Sequence, residues 1–189
     1  MEDGVITISR AQAAAQFPCS VTVVAAMNPC RCGYFGHPTK KCTCSAQSVS
    51  KYLSHISGPM VDRMDLHVEV PPVEYEALSS KSAEEPSAVI RQRVEKARAI
   101  QAERYKNTGI TCNARLTPAL MQKYCVLTES ASAMLKVAFD KMGMSGRAYD
   151  RILKVARTIA DLDGAETIDT PHIAQALQFR SLDRKYWQN

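Results

Sequence analysis

Residues 21–27, VTVVAAM, constrain the fold of this 189-residue chain more than any other feature. The run is apolar and rich in β-branched side chains, the pattern of a strand buried on both faces of a parallel sheet. Such a strand needs hydrogen-bonded neighbours on both sides, yet only twenty residues precede it. We therefore expect the chain to be a piece of a larger protein that supplies most of the sheet.

Two other segments show the alternating apolar and polar pattern of strands, residues 5–9 (VITIS) and 65–70 (DLHVEV). After residue 73 the pattern is helical throughout, and a Ser/Glu/Pro-rich stretch at 76–87 separates the two regions. We predict a first domain at 1–75, which contains a cysteine-rich loop, and an all-helical domain at 76–189.

Capping signals and apolar periodicity place the helices. A short helix is expected from about Ser45 or Ser48, and longer ones at 84–105, from Thr117-Pro118, near 129–142, at 146–162 and from Thr170-Pro171. The apolar stripe of helix 84–105 is expected at positions 89, 90, 94, 97 and 100. That of helix 146–162 is expected at Tyr149, Ile152, Leu153, Ala156, Ile159 and Ala160.

Composition narrows the class of protein. The chain is 46% hydrophobic and 23% charged, as in a soluble globular protein, and its longest apolar run is too short to cross a bilayer. Nothing at the N-terminus reads as a signal peptide, so we expect a cytoplasmic location and no membrane partner. Seven cysteines then favour reduced thiols or a metal over disulfides, and the net charge of +5 permits a nucleic-acid partner.

Two Cys-x-Cys pairs lie between residues 30 and 44. Four thiolates are the ligand set of a structural zinc site, which keeps no open coordination position and therefore shapes a loop rather than catalysing a reaction. Gly33 and Gly36 relieve the tight spacing, and His37 could replace one cysteine. Free thiols in a loop are the alternative interpretation. The predicted zinc ligands are Cys30, Cys32, Cys42 and Cys44.

Several short stretches carry a resemblance to a known family because they occur together in one order. They are EDGVITISRA, FPCSVTVVAAMNPCRCG, ISGPMVDRMDLHVEV, NARL, SGRAYDRILKVARTIADL and ALQFRSLDR. In this order they resemble the magnesium chelatase-like AAA+ ATPases, and the ComM/YifB branch most closely. The resemblance implies the C-terminal half of the ATPase module: an α/β remnant of a P-loop AAA+ core with few strands, followed by an all-α helical lid domain.

The chain departs from the family pattern in lacking a G-x-x-x-x-G-K-[ST] loop and an acidic run for magnesium. Without that loop a protein cannot cradle nucleotide phosphates, so this chain alone is not expected to hydrolyse ATP. The resemblance implies that an upstream P-loop half of the same protein binds ATP with magnesium, and that the parent enzyme works as a ring of identical copies.

The resemblance also assigns roles to two polar residues of the first region. Asn28 follows the predicted strand at 21–27, where an open α/β sheet places its ligands, and its amide is suited to orient a water, as sensor 1 does in the family. Arg10 follows strand 5–9, with a second strand expected after the Ala/Gln stretch 11–16, and resembles a pore-lining basic residue that contacts DNA phosphates. An Asn-Pro turn and an ordinary exposed arginine are the alternatives.

Two more arginines match family positions. Arg63, in GPMVDRMD, resembles the arginine finger, whose planar and permanent charge reaches the ATP of the neighbouring subunit. Arg147, in the first turn of helix 146–162, resembles sensor 2, which contacts the γ-phosphate from the same subunit. The alternatives are a surface ion cluster of Asp62, Arg63 and Asp65 and a solvated arginine at 147.

The resemblance implies that the parent is an ATP-driven motor on DNA, as in branch migration during recombination of incoming DNA. Two other functions stay open. The ATPase could instead remodel a protein complex, as in metal insertion into porphyrin by magnesium chelatase. The chain could also be a non-enzymatic, zinc-stabilised nucleic-acid-binding module, which the missing phosphate loop favours.

Overall fold

The computed structural model describes residues 4–10, 13–73, 75, 79 and 84–180. The chain divides into two compact units, Met1–Val49 and Ser50–Asn189. The predicted domain boundary after residue 75 falls beside residues 76–78, which lie outside the described part of the chain. No described helix combines the length and the apolar character that crossing a bilayer requires.

The first unit begins with an antiparallel hairpin. Strand β1 (Val5–Arg10) pairs with strand β2 (Ala13–Pro18), so that Val5 lies opposite Pro18 and Arg10 opposite Ala13. The predicted strand at 5–9 is confirmed. The expectation that its partner follows the Ala/Gln stretch is wrong, because much of that stretch itself forms β2. Alanine side chains do not prevent pairing, since ladder hydrogen bonds join backbone groups.

The predicted strands at 21–27 and 65–70 are not formed among the described residues. Val24 and Val70 are 90% and 82% exposed, rather than buried in a sheet. A strand exists through the ladder it shares with a neighbour, and β1 and β2 pair only with each other in the described part of the chain. In the second segment, the His67 N–H donates to the carbonyl of Phe179 at 2.8 Å, in a stretch that is not assigned as a strand.

The described helices follow the capping signals closely. They are α1 (Ala46–Leu53), α2 (Gly58–Val61), α3 (Ser87–Arg104), a 3₁₀ turn (Asn113–Arg115), α4 (Pro118–Tyr124), α5 (Glu129–Met142), α6 (Gly146–Leu162) and α7 (Thr170–Gln178). The side chains of Thr117, Thr128 and Ser145 cap α4, α5 and α6, and Gly143 ends α5 at a φ of 57°. Helix α7 is capped by Asp169, one residue before the predicted threonine.

Helix α6 is the centre of the core in the second unit and packs against α3, α4, α7 and the 3₁₀ turn. Its predicted apolar stripe is confirmed: five of the positions are buried and Tyr149 packs against them. The predicted stripe of α3 is mostly wrong, because Val89, Ile90 and Val94 are each more than 40% exposed while Ala97 is buried. Burial in α3 is confined to its C-terminal half, where Ala97 and Gln101 lie.

Candidate functional site

The segment that carries Arg63 is joined to the start of α6. The Arg63 guanidinium donates to the carbonyl of Pro59 at 3.0 Å, across the short helix α2. The preceding residue, Asp62, accepts a hydrogen bond at 3.1 Å from Ser145 Oγ, the side chain that also caps α6. Arg147 follows in the first turn of α6 and is exposed. The structure thus brings the Arg63 segment and the helix of Arg147 to one place.

The carboxylates that flank Arg63 are engaged with arginines of the helical region. Arg180 lies 3.4 Å from Asp62 and donates to the Met64 carbonyl at 2.6 Å. Arg151, on α6, pairs with Asp65. Among the described residues, then, Asp62 and Asp65 pair with these two arginines and not with Arg63. The surface ion cluster considered as the alternative role of Arg63 therefore contains Arg151 and Arg180 instead of Arg63.

Asn28 and Arg10 belong to the first unit, and Arg63 and Arg147 to the second. Asn28 is exposed and follows residues 19–27, which form neither a strand nor a helix. Arg10 is exposed at the end of β1, and residues 11–12, which follow it, lie outside the described residues. Asn28, Arg10 and Arg147 are exposed, whereas Arg63 is half-buried.

The four predicted zinc ligands come together. Cys30, Cys32, Cys42 and Cys44 place their Sγ atoms within 4.8 Å of one another. Three of the separations are 3.4, 3.5 and 3.7 Å, too long for a disulfide of about 2.05 Å. Zinc–sulfur bonds of about 2.3 Å in a tetrahedron separate the sulfurs by roughly 3.8 Å. The donor set and its spacing therefore fit a zinc ion.

The surroundings shift the pKa values of these thiols in opposite directions. Backbone hydrogen bonds from Tyr34 and Thr43 lower the pKa of Cys32 to about 5. The Cys44 amide lowers the pKa of Cys42, but desolvation and the neighbouring thiols outweigh it and raise that pKa to about 12. Four thiolates so close together repel one another, and a divalent cation removes that repulsion by charge compensation.

The turn between the two cysteine pairs depends on glycine. Gly33 and Gly36 have φ angles of 82° and 77°, the left-handed region that glycine adopts without a Cβ penalty. His37 lies outside the group of four thiols, contrary to the possibility that it replaces a cysteine. Its Nδ1 instead accepts hydrogen bonds from the amides of Thr39 and Lys40, at 3.2 and 3.0 Å.

A buried polar network in the second unit escaped the sequence prediction. Asp161, 1% exposed, accepts hydrogen bonds from both terminal nitrogens of Arg104 and, at 3.1 Å, from Arg157 Nε. Its Oδ2 also accepts from Asn113 Nδ2 at 2.8 Å, and Tyr105 donates to Asn113 Oδ1. Desolvation raises the pKa of Asp161, but the hydrogen bonds and charges of these donors outweigh it. The net effect is a pKa below the usual value, so the carboxyl group stays ionised.

The helical periodicity of α6 could have indicated that two members of this network are buried. Arg157 and Asp161 are four residues apart, and Leu153 precedes Arg157 by the same spacing, so both charges lie on the buried side of α6. Arg157 is fully buried and also donates to the carbonyls of Ala165 and Glu166. It thereby ties the end of α6 to the turn that follows.

Comparison with known families agrees with this architecture. Residues 84–180 match the family described as "Magnesium chelatase, subunit ChlI C-terminal", and residues 1–78 match "Magnesium chelatase, subunit ChlI". The chain therefore belongs to the magnesium chelatase family. The predicted fold class, a small α/β beginning followed by a helical lid, is confirmed.

The similar proteins are bacterial. Over 185 residues, 97% of this chain, it is 42% identical to Competence protein ComM of Haemophilus influenzae. It is 37% identical to YifB of Salmonella typhimurium and 36% identical to YifB of Escherichia coli over the same length. The resemblance to the ComM/YifB branch is confirmed. The chain spans 35% of the length of each of these relatives.

Proposed function

We propose that this chain is the C-terminal portion of an ATPase module in a magnesium chelatase-like AAA+ protein. The whole protein hydrolyses ATP with magnesium in the cytoplasm, as a ring of identical copies, and uses the energy to move on DNA. An upstream phosphate-binding loop of the same protein supplies the nucleotide site. The name of the relative ComM associates it with competence, the uptake of DNA, which favours DNA as the target.

Three polar groups of this chain act on the nucleotide in this proposal. The amide of Asn28 orients the attacking water as sensor 1. The guanidinium of Arg63 faces the ATP of the neighbouring copy, where a planar permanent charge compensates charge on the phosphoryl group. Arg147 contacts the γ-phosphate from its own subunit. Bound ATP supplies the phosphoanhydride that is cleaved.

The observation that carries this proposal is the hydrogen bond between Asp62 and Ser145. It connects the residue before Arg63 to the N-cap of the helix that bears Arg147, and in this proposal it links the positions of the two arginines. Arg180 reinforces the connection through its contacts with Asp62 and Met64. This coupling is what a lid needs if it reports nucleotide state to the subunit interface.

The test is ATP turnover of the full-length protein with Arg63→Ala. An arginine finger contributes about 10³-fold or more to turnover, and nucleotide binding should persist because the phosphate loop is untouched. Arg93→Ala is the matched control, since Arg93 is 58% exposed on α3 and pairs with Glu85. Turnover of Arg63→Ala equal to that of the control contradicts the assignment.

We also propose that the thiol cluster holds one structural zinc. Its ligands are the four cysteines already named, and the ion supplies charge compensation and a fixed loop rather than catalysis.

Arg10 is proposed to contact DNA phosphates from the hairpin, without reading sequence.

Two alternative functions each have an observation in their favour. The family description names magnesium chelatase, which supports an ATPase that remodels a protein complex. The cysteine cluster supports a non-enzymatic nucleic-acid-binding module. Stimulation of ATP turnover by DNA favours the motor, turnover indifferent to DNA favours protein remodelling, and DNA binding by a full-length protein without turnover favours the module.

A further inference from the structure

The clustered thiols are close enough to react with one another as well as to bind a metal ion. The Sγ atom of Cys32 lies 3.4 Å from that of Cys30 and 3.5 Å from that of Cys42, and the Sγ atoms of Cys30 and Cys42 are 3.7 Å apart. A disulfide bond is about 2.05 Å long, so each pair has to close by about 1.5 Å. Rotation about a Cα–Cβ bond moves a sulfur atom by that much.

Solvent access and ring size favour one of these pairs. Cys30 is 0% exposed, whereas Cys32 and Cys42 are half-buried and therefore accessible to a small oxidant. Cys30 and Cys32 are also separated by a single residue, and so short a ring is stiff and hard to close. Cys32 and Cys42 are ten positions apart, and the segment between them contains Gly33 and Gly36. The geometry favours a disulfide between Cys32 and Cys42.

Such a disulfide is incompatible with the zinc site. A structural zinc ion takes four ligands, and a cysteine sulfur binds the metal as a thiolate. Joining Cys32 to Cys42 removes two of the four thiolates and leaves only those of Cys30 and Cys44. The loop is therefore either held by zinc or closed by the disulfide, but not both.

We propose that Cys32 and Cys42 form a reversible oxidation site, at which hydrogen peroxide produces a disulfide and releases the zinc ion. One thiolate attacks the peroxide, so that an S–O bond forms, the O–O bond breaks and the sulfur becomes a sulfenic acid. The other thiolate attacks that sulfur, forming the S–S bond and expelling hydroxide. Two electrons pass from the sulfurs to the peroxide oxygens, two protons from solvent complete two water molecules, and the zinc ion is released without a change of oxidation state.

The site lies next to Asn28 in the sequence. Only Pro29 separates Asn28 from Cys30, and its ring fixes φ at about −65°, which makes the connection short and stiff. The functional consequence rests on the proposed function. Exchanging zinc for a disulfide moves the start of the loop and with it the Asn28 amide, so oxidation lowers ATP turnover of the whole protein. Disulfides in the cytoplasm are usually transient and catalytic or redox-sensing, which suits a reversible signal.

The test treats the zinc-loaded full chain with hydrogen peroxide and measures zinc captured by a chromogenic chelator, free thiols and peptide masses. We expect the loss of about one equivalent of zinc, the loss of two thiols and a peptide that joins Cys32 to Cys42. Dithiothreitol with added zinc should restore the starting state. Retention of the zinc, or its release with no disulfide between these two residues, overturns the proposal.

Two histidine substitutions separate the reactive pair from the metal site. Three cysteines and a histidine are also a structural zinc ligand set, so Cys42→His and Cys44→His should both be loaded. At a peroxide dose that empties the unaltered chain, Cys42→His should keep its zinc and Cys44→His should lose it, and equal release from the two overturns the pairing. Cys19→Ser, outside the cluster, is the matched control and should release zinc like the unaltered chain. If a variant does not load zinc, the joined peptide of the unaltered chain decides.

ATP turnover of the full-length protein tests the consequence for Asn28. Oxidised protein should turn over ATP more slowly than reduced protein and should recover with dithiothreitol and zinc. Turnover unchanged after zinc release overturns the coupling to Asn28. Absence of turnover in the reduced, zinc-loaded protein contradicts the proposed function instead, and the zinc and thiol measurements remain decisive for the oxidation site.

Discussion

Replacing Asp161 by Asn removes the negative charge that lies between Arg104 and Arg157 in the core of the second unit. The Arg157 side chain is fully buried and that of Arg104 is 15% exposed, so both charges are largely removed from bulk water. The change is nearly isosteric, so it alters charge without opening a cavity.

The magnitude follows from the burial of the partners. Breaking a buried ion pair by removing one partner costs about 3–5 kcal/mol, because the remaining charge is left uncompensated. Two arginines lose their counter-charge here, whereas the amide of the variant still accepts one or two of the hydrogen bonds. We expect a loss of about 3–5 kcal/mol in the free energy of unfolding at neutral pH.

The assay is urea unfolding of the full chain, followed by far-ultraviolet circular dichroism. Glu85→Gln is the matched control, since it neutralises a carboxylate that pairs with Arg93 while 41% exposed. Such a surface pair contributes about 0–1 kcal/mol. A loss for Asp161→Asn no larger than that of the control would refute the claim that the buried charge cluster stabilises the unit.

Three further predictions concern pH, metal and capping. The donors around Asp161 hold its pKa below the usual range, so its stabilisation is present above about pH 4 and is lost as the pH falls through the lower folded pKa. The difference in unfolding free energy between the unaltered chain and Asp161→Asn should therefore shrink in acid, and a constant difference argues against it. Cys32→Ser should lose the zinc measured by elemental analysis, while Cys19→Ser, in the same unit but outside the cluster, retains it; zinc in both or in neither contradicts the site. Ser145→Ala and Thr117→Ala should each cost about 0.5–2 kcal/mol as lost N-caps. Only Ser145→Ala, which also breaks the bond to Asp62, should lower ATP turnover of the full-length protein, and equal turnover would count against the coupling.

The helical half was predictable because its signals are local. Thr117 and Ser145 each precede the helix they cap, and Gly143 ends α5 in a conformation that glycine favours. The strands predicted at 21–27 and 65–70 are not formed among the described residues. A strand depends on a partner whose position no local pattern specifies. The stripe of α3 shows the same limit, since periodicity predicts a face but not what covers it.

The candidate site shows the same contrast between contacts that are local in sequence and contacts between distant residues. The spacing of the cysteines predicted their assembly, because all four lie in one short loop closed by Gly33 and Gly36. The partners of Asp62 were beyond prediction, as Ser145 and Arg180 are 83 and 118 residues away in sequence. Nucleotide roles for Asn28 and Arg63 stay predictions from the resemblance.

We propose above that this chain completes a nucleotide site in the neighbouring copy. The direct test mixes two inactive full-length variants, Arg63→Ala and one with its upstream phosphate-loop lysine replaced by alanine. At an interface where an intact phosphate loop meets an intact Arg63, both halves of the site are present. An equimolar mixture should recover up to about a quarter of the turnover of the unaltered protein. A mixture as inactive as its two components contradicts this proposal.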